Sequence, residues 1–286
     1  MDENNKYNRN ILWVGIKGQM EIEKTRVAIV GLGGIGSHVA QQLAYLGVKD
    51  FVLIDADIVS KTNLNRLIGA NEKDINNLKV NIAERNLKFI SEDMSVYSVG
   101  DSFISEISIK ALKRVNYIFG CVDKDGARLV LTEFSKAYKI NYFDLASQIS
   151  KDDWGGRVVF SNSEPGCLFC RGLLSSEEIR RDLSTPADRS AEDNIYGIPK
   201  EVIKNTGPAV VSLNGTIASI AVSEFISAVT SIRKVNKYLT YRGDLSILTK
   251  NIDPIQDCYY CKTVLGNGDK ADIERYPKNG IDKILR

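Results

Sequence analysis

The sequence predicts an α/β fold, a mostly parallel sheet with helices on both faces, extended toward the C terminus by antiparallel strands. Three observations predict it. Apolar strands alternate with helical patterns through the first half of the chain. A glycine-rich turn joins the first strand directly to the helix that follows. Two matched Cys-x-x-Cys pairs frame the second half.

Taken in order, strands are expected at 26–31, 50–54, 95–99, 116–121 and 140–145, and helices at 34–46, 72–91, 105–113 and 125–138. Gly155-Gly156 precedes a further strand, Arg157 to Phe160. Residues 184–206 are polar, carry proline and glycine, and read as a mobile loop crossing over the active site. A long apolar helix is expected at 208–232, then a hairpin of strands near 237–242 and 244–250 turning through Arg242-Gly243-Asp244. The polar tail, 266–286, is expected to fray. This gives one domain over 1–265, with a nucleotide-binding half at about 20–150 and a substrate and zinc half at about 151–265.

Bulk properties narrow the function. The chain has 286 residues, 43% of them hydrophobic and 26% charged, and a net charge of +2, which gives no reason to expect nucleic acid. The start, Met1-Asp2-Glu3-Asn4-Asn5, does not read as a secretory signal. Asn214 and Glu224 interrupt the apolar run at 208–232, so it reads as a buried helix and no membrane is expected. A cytoplasmic location follows as an expectation. With a single histidine, His38, multi-histidine metal sites are excluded and a histidine triad is disfavoured. His38 itself reads as a first-turn helix residue.

Cys167, Cys170, Cys258 and Cys261 account for four of the five cysteines, and each pair lies beside turn residues. Four thiolates suit a tetrahedral zinc ion and leave no position open for substrate, so the site reads as structural. A redox pair is the competing reading. Cys121 ends an apolar strand and reads as a small buried hydrophobe.

The strand Val27 to Val30 runs into Gly31-x-Gly33-x-x-Gly36, with Gly34 between. Such glycines let a phosphate approach the backbone at a helix N terminus. Asp55, at the end of the second strand, is placed to accept hydrogen bonds from ribose hydroxyls, with Asp57 two residues on. To this point a NAD-dependent oxidoreductase fits equally well. Asn63-Leu64-Asn65-Arg66 and Lys79 then add cations that a triphosphate needs and a dinucleotide seldom does. Asp123 follows the fourth strand, where a carboxylate can hold magnesium against phosphates.

In order and spacing these segments resemble the MoeB/ThiF/HesA group, bacterial relatives of the ubiquitin-activating enzymes with a Rossmann-like fold. The likeness covers roughly residues 7 to 262: Tyr7-Asn8-Arg9-Asn10 with Gly18-Gln19, the loop Gly31 to Ser37, Asp55-x-Asp57, Asn63 to Arg66, Lys79, Cys121-Val122-Asp123 and both cysteine pairs. The resemblance implies Mg-ATP-dependent adenylation of the C-terminal carboxylate of a small ubiquitin-like or sulfur-carrier protein of β-grasp type, with release of pyrophosphate. It assigns Asp55 to ribose, Asn63 and Arg66 to phosphates, Lys79 to phosphate and developing charge, and Asp123 to magnesium. Arg9 is expected to reach the ATP of a neighbouring subunit, which implies a homodimer.

Leu67 stands where the family often has Gln, Asn76-Asn77-Leu78 replaces a usual Gly, and Val122-Asp123-Lys124 stands for Thr-Asp-Asn. Leu67 and Lys124 are therefore expected to alter substrate or nucleotide details. Residues 171–257 contain no cysteine, so no thioester is expected on this chain. The acyl-adenylate would pass to an external sulfur donor, partner enzyme or amine. Competing readings are adenylation of a short peptide, as MccB-like enzymes do, a tRNA-modifying relative, and a non-catalytic ATP-binding module. The first is mildly disfavoured because only residues 1–25 precede the first strand.

Overall fold

The computed structural model describes residues 5–184, 207–251 and 258–281. Eight strands form one sheet in the order β3-β2-β1-β4-β5-β6-β7-β8. They are β1 Arg26–Val30, β2 Asp50–Ile54, β3 Ser95–Val99, β4 Tyr117–Gly120, β5 Asn141–Ile149, β6 Trp154–Ser161, β7 Tyr238–Arg242 and β8 Ile247–Lys250. Strands β1 to β5 pair in parallel, and β6, β7 and β8 add antiparallel. The apolar runs of β1 and β4 are buried on both faces, as central parallel strands must be.

Helices α1 Asn8–Lys24, α2 Gly34–Leu46, α3 Lys79–Ile90, α4 Glu106–Leu112, α5 Asp125–Tyr138, α6 Ser176–Leu183 and α7 Val211–Thr230 connect and cover the strands. One core gathers side chains of α2, α3 and α7 on one face of the sheet. A second gathers α4, α5 and the C-terminal residues Ile273, Tyr276 and Ile281 on the other. Helix α7 is long and apolar enough to pass as a membrane span by composition. Its Leu213, Ile217, Ala218, Ala221 and Phe225 are instead buried in the first core. Its two polar interruptions are satisfied: Ser147 donates to Asn214 Oδ1 at 3.1 Å, and Arg233 pairs with Glu224 at 2.7 Å.

Several boundaries depart from the sequence reading. The helix expected over 72–91 starts at Lys79, preceded by a separate 3-10 turn, Glu72–Asp74. Asn76 between them has φ 72°, which no continuing helix accommodates. Gly155 and Gly156 lie inside β6, where a Cβ on Gly156 would sit 2.4 Å from the Ala146 carbonyl oxygen. The hairpin turns through residues 243–246, so β8 starts at Ile247. Helices α1 and α6 have no counterpart in the sequence reading. The expected crossover loop falls, apart from Ser184, outside the described residues.

The C-terminal segment is docked over 266–281, contrary to the fraying expected of it. Arg275 Nη2 donates to both oxygens of buried Glu133 on α5 at 2.7 Å, and the Tyr276 hydroxyl adds a third bond at 2.7 Å. Three apolar anchors and a buried charge pair outweigh the local polarity that suggested a loose tail.

Candidate nucleotide site and four-cysteine cluster

In a doubly wound sheet, ligands bind beyond the C-terminal ends of the strands, where the strand order reverses. That point lies here between β1 and β4. A cavity of about 370 Å³ opens there, within the size range of small-molecule sites. Gly31, Gly33, Gly34, Asp55, Asp57, Asn63, Arg66, Lys79 and Asp123 all line it, so nearly every nucleotide residue named from sequence converges on one place.

The glycine turn is shaped by close approach. Gly31 has φ +88°, and a Cβ there would lie 2.6 Å from the Cys121 carbonyl oxygen. Gly36 does not line the cavity; a Cβ there would lie 1.9 Å from the Gly31 carbonyl oxygen, so its role is to let α2 pack under the turn. Gly33 is the N-terminal cap residue of α2 and has open space where a side chain would be.

Asp55 accepts from the Leu32 N–H at 2.6 Å and the Asp57 N–H at 2.8 Å. Burial raises its pKa, and the nearby Lys79 ammonium and these two N–H groups oppose that rise. Lys79 donates from Nζ to Asp57 Oδ2 at 2.6 Å and from its backbone to the Asp57 carbonyl at 3.0 Å. Asn63 Oδ1 caps its own turn by accepting from the Ser60 N–H at 3.1 Å. Arg66 Nη1 donates to the Thr62 carbonyl at 2.6 Å and Asn65 Oδ1 at 2.9 Å. Asn65 thus steadies Arg66.

Leu67 is buried with Val59 and Ile82 in a small satellite core, so the departure noted from sequence packs the phosphate-side loop while also touching the cavity. Arg85 holds the same loop, donating to both carboxylate oxygens of buried Asp74 at 2.6 and 2.8 Å and to the Gly69 carbonyl at 2.9 Å. Ser37 on α2 accepts from the Ile68 N–H at 3.2 Å, tying that loop to the glycine turn.

Asp123 is exposed at the cavity edge with no side-chain partner among the described residues. Lys124, beside it, also lines the cavity. Arg128, one turn into α5, donates to the Val122 carbonyl at 2.5 Å and to Asp144 at 2.6 Å. Cys121 lies in the cavity wall, and burial pushes its thiol pKa up, away from nucleophilic thiolate chemistry.

The sequence reading missed Arg128, Ser147 and Asn214, which also line the cavity. Asn214 had a visible signal, a polar residue inside an apolar helix. Arg9 lies on α1, is exposed, and is not among the cavity-lining residues. His38 packs beside Gly215 of α7, and burial lowers its pKa.

The sulfur atoms of Cys167, Cys170, Cys258 and Cys261 all lie within 4.8 Å of one another, and all four residues are buried. Cys167 Sγ is 3.7 Å from Cys170 Sγ and 3.6 Å from Cys258 Sγ. Tetrahedral zinc with Zn–S bonds of ~2.3 Å sets sulfur atoms about 3.8 Å apart, so the donor set fits that ion. Buried Lys136 on α5 donates to the carbonyls of Asn162 at 2.5 Å and Glu164 at 2.7 Å, fixing the approach to the first pair.

Glycine turn, strand-end carboxylates and phosphate-side cations around one switch-point cavity define a nucleotide-binding α/β protein. The sequence matches the ThiF family over residues 7–260, and the chain belongs to that family. It is 26% identical over 265 residues to ubiquitin-like modifier-activating enzyme 5 of Drosophila mojavensis, covering 86% of this chain and 61% of that protein. The enzyme of the same name from Aedes aegypti is 25% identical over 263 residues, with coverages of 86% and 61%. The chain thus spans about three fifths of the length of these relatives. Among solved structures, E. coli MccB with AMPCPP and MccA superposes with a TM-score of 0.71 at 20% identity, over 91% of this chain and 75% of that one. PaaA superposes with a TM-score of 0.63 at 18% identity, over 86% and 81%. Both structures share the fold.

Proposed function

We propose that this ThiF-family protein is an adenylyltransferase that activates the C-terminal carboxylate of a small ubiquitin-like or sulfur-carrier protein, or of a peptide, with Mg-ATP. The observation that carries the reading is the convergence of Asp55, Asn63, Arg66, Lys79 and Asp123 on one cavity at the switch point. Its ubiquitin-like side is supported by the relatives' name.

In this reading the substrate carboxylate oxygen attacks the α-phosphorus, the bond to the bridging oxygen breaks, and pyrophosphate leaves. Asp55 accepts from the ribose hydroxyls. Asn63 and Arg66 bind phosphate oxygens. Lys79 leaves Asp57 in part to meet the charge that develops on the phosphates. Asp123, with no competing partner among the described residues, would hold magnesium, which would supply charge neutralisation on the phosphates. The four cysteines would hold zinc and clamp the C-terminal segment to the body.

No cysteine of residues 171–257 is available for a thioester, and Cys121 is unsuited to one, so the adenylate passes to an external nucleophile. A homodimer completes the site. Leu12 and Trp13, about one turn from Arg9 and ahead of the kink that Gly15 puts in α1, are exposed by 66% and 60%, and pairing there would carry Arg9 toward the partner's ATP.

ATP–pyrophosphate exchange tests the reading, using β-grasp proteins and short peptides with intact or truncated C termini. Exchange should require the intact C terminus and vanish in Asp123→Ala and Arg9→Ala. Tight ATP binding without exchange for any carboxylate would reject it in favour of a non-catalytic module.

A further inference from the structure

A second cavity, of about 230 Å³, lies over the antiparallel strands β5, β6 and β7. It shares Ala146 and Ser147 with the nucleotide cavity, so the two adjoin. Its ionic lining is Asp153, Arg157 and Arg242, two cations against one anion. Arg242 is already engaged, donating to Asp244 at 2.7 Å and lying 3.4 Å from Asp153.

Arg157 stands apart. Among the described residues its one ionic contact is Asp144 Oδ2 at 3.7 Å, beyond hydrogen-bonding distance. Arg157 Nε and Asp144 Oδ2 are both buried and both lack a hydrogen-bond partner. The other oxygen of Asp144 is taken by Arg128 at 2.6 Å and the Tyr142 hydroxyl at 3.1 Å. Buried donors are nearly always paired in folded proteins, so an arginine held this way needs an explanation. Its side chain is 25% exposed and reachable from the cavity it lines. A guanidinium has five donors in a fork that matches a carboxylate, and partial desolvation strengthens that match.

We infer that the second cavity receives the end of the substrate tail and that Arg157 reads an acidic side chain in it. The inference rests on the proposed adenylation, since the shared wall is what brings the tail's carboxylate to the nucleotide. From Ala146 to Ser150 a strand advances about 13 Å, at ~3.3 Å per residue. An extended tail covers that distance in about four residues, which places the acidic residue within about four positions of the terminal carboxyl. The exposed part of the Arg157 guanidinium then bonds the tail, while its buried Nε keeps facing Asp144, which stays anchored by Arg128 and Tyr142.

The test uses fluorescein-labelled octapeptides with free C termini, built of glycine and serine, carrying Glu or Gln at the second, third or fourth position from the end. Anisotropy is measured with and without ATP. For at least one position the Glu peptide should bind tenfold or more tighter than its Gln twin. Arg157→Gln should erase that preference and leave ATP affinity within twofold, and Arg157→Lys should keep part of it. Equal binding of every pair, absence of binding, or a preference that survives Arg157→Gln would overturn the inference. Pyrophosphate exchange separates the two readings. Tail preference without exchange rejects adenylation alone, and exchange without tail preference rejects the acidic-tail reading alone.

Discussion

Arg128 donates to the carbonyl of Val122, the residue just before Asp123, from the same guanidinium that pairs with buried Asp144. The placement of the exposed Asp123 carboxylate is thus set from inside the fold. Arg128→Lys keeps the charge but loses the fork. We expect at least a tenfold loss of magnesium-dependent exchange, together with about 2 kcal/mol of destabilisation from the weakened buried pair. Magnesium titration of exchange and denaturant unfolding measure the two effects separately. Full activity in Arg128→Lys would show that Asp123 is positioned without it.

The Asp55 carboxyl is pushed above its ordinary value of 3.8 by burial. In the proposed reading ribose hydroxyls bond more strongly to the ionised form, so ATP affinity should fall as pH drops through the raised pKa, earlier than for an exposed aspartate. The stability contribution runs the other way. The folded state holds this proton more tightly than the unfolded one, so the contribution declines as pH rises through the folded pKa. Asp55→Asn should abolish this limb of the pH profile of ATP binding, read by calorimetry.

Arg85 grips the loop that carries Asn63 and Arg66 without itself lining the cavity. Arg85→Met leaves the Asp74 carboxylate buried and unpaired. We expect a cost of about 2 kcal/mol, below that of a fully buried pair because Arg85 is 49% exposed. ATP affinity should weaken about tenfold in the Arg85→Met protein, an effect of the order of one lost charged hydrogen bond. In an Arg66→Ala background the same substitution should leave ATP affinity unchanged; an additive loss would mean that Arg85 acts elsewhere. Asp74 is held below its ordinary pKa chiefly by Arg85, so its contribution to stability is present above 3.8 and disappears as pH falls through the folded value.

Purified protein should contain about one zinc per chain, as four thiolates imply. Cys258→Ser should lower zinc content and thermal stability together, because the second pair adds a tie between residues 258–281 and the first pair beside the contacts of Arg275 and Tyr276 with Glu133. A zinc-free protein of unchanged stability would reject a structural metal.

Much of this was legible in the sequence, for identifiable reasons. Gly31, Asp55 and Asp123 follow β1, β2 and β4, neighbouring strands of a parallel sheet, so once the strands are recognised the topology must gather them at one edge. The cysteine cluster was readable because two Cys-x-x-Cys pairs are the spacing that gathers four thiols at one point. Less legible was whatever depends on contacts distant in sequence. Nothing local in Glu133 announces Arg275, 142 residues away, and so the C-terminal segment looked loose. Asn76 hides its left-handed backbone among residues that suit a helix in composition. Arg157 reads as an ordinary strand cation until Asp144 and the second cavity are seen beside it.

Helix α5 holds three segments of the chain along its length. Its first turn receives Asp182 of α6 on the Gly126 N–H at 3.0 Å, its middle takes Arg275, and its last turn holds the approach to the cysteine cluster through Lys136. No end of such a beam can open while the others stay closed. Amide hydrogens near Asp123, in the C-terminal segment and around the cysteines should therefore exchange with one shared opening energy, as a single cooperative unit. A lesion at the cysteine end would then be felt around Asp123 as a change in lifetime, with no change in average position.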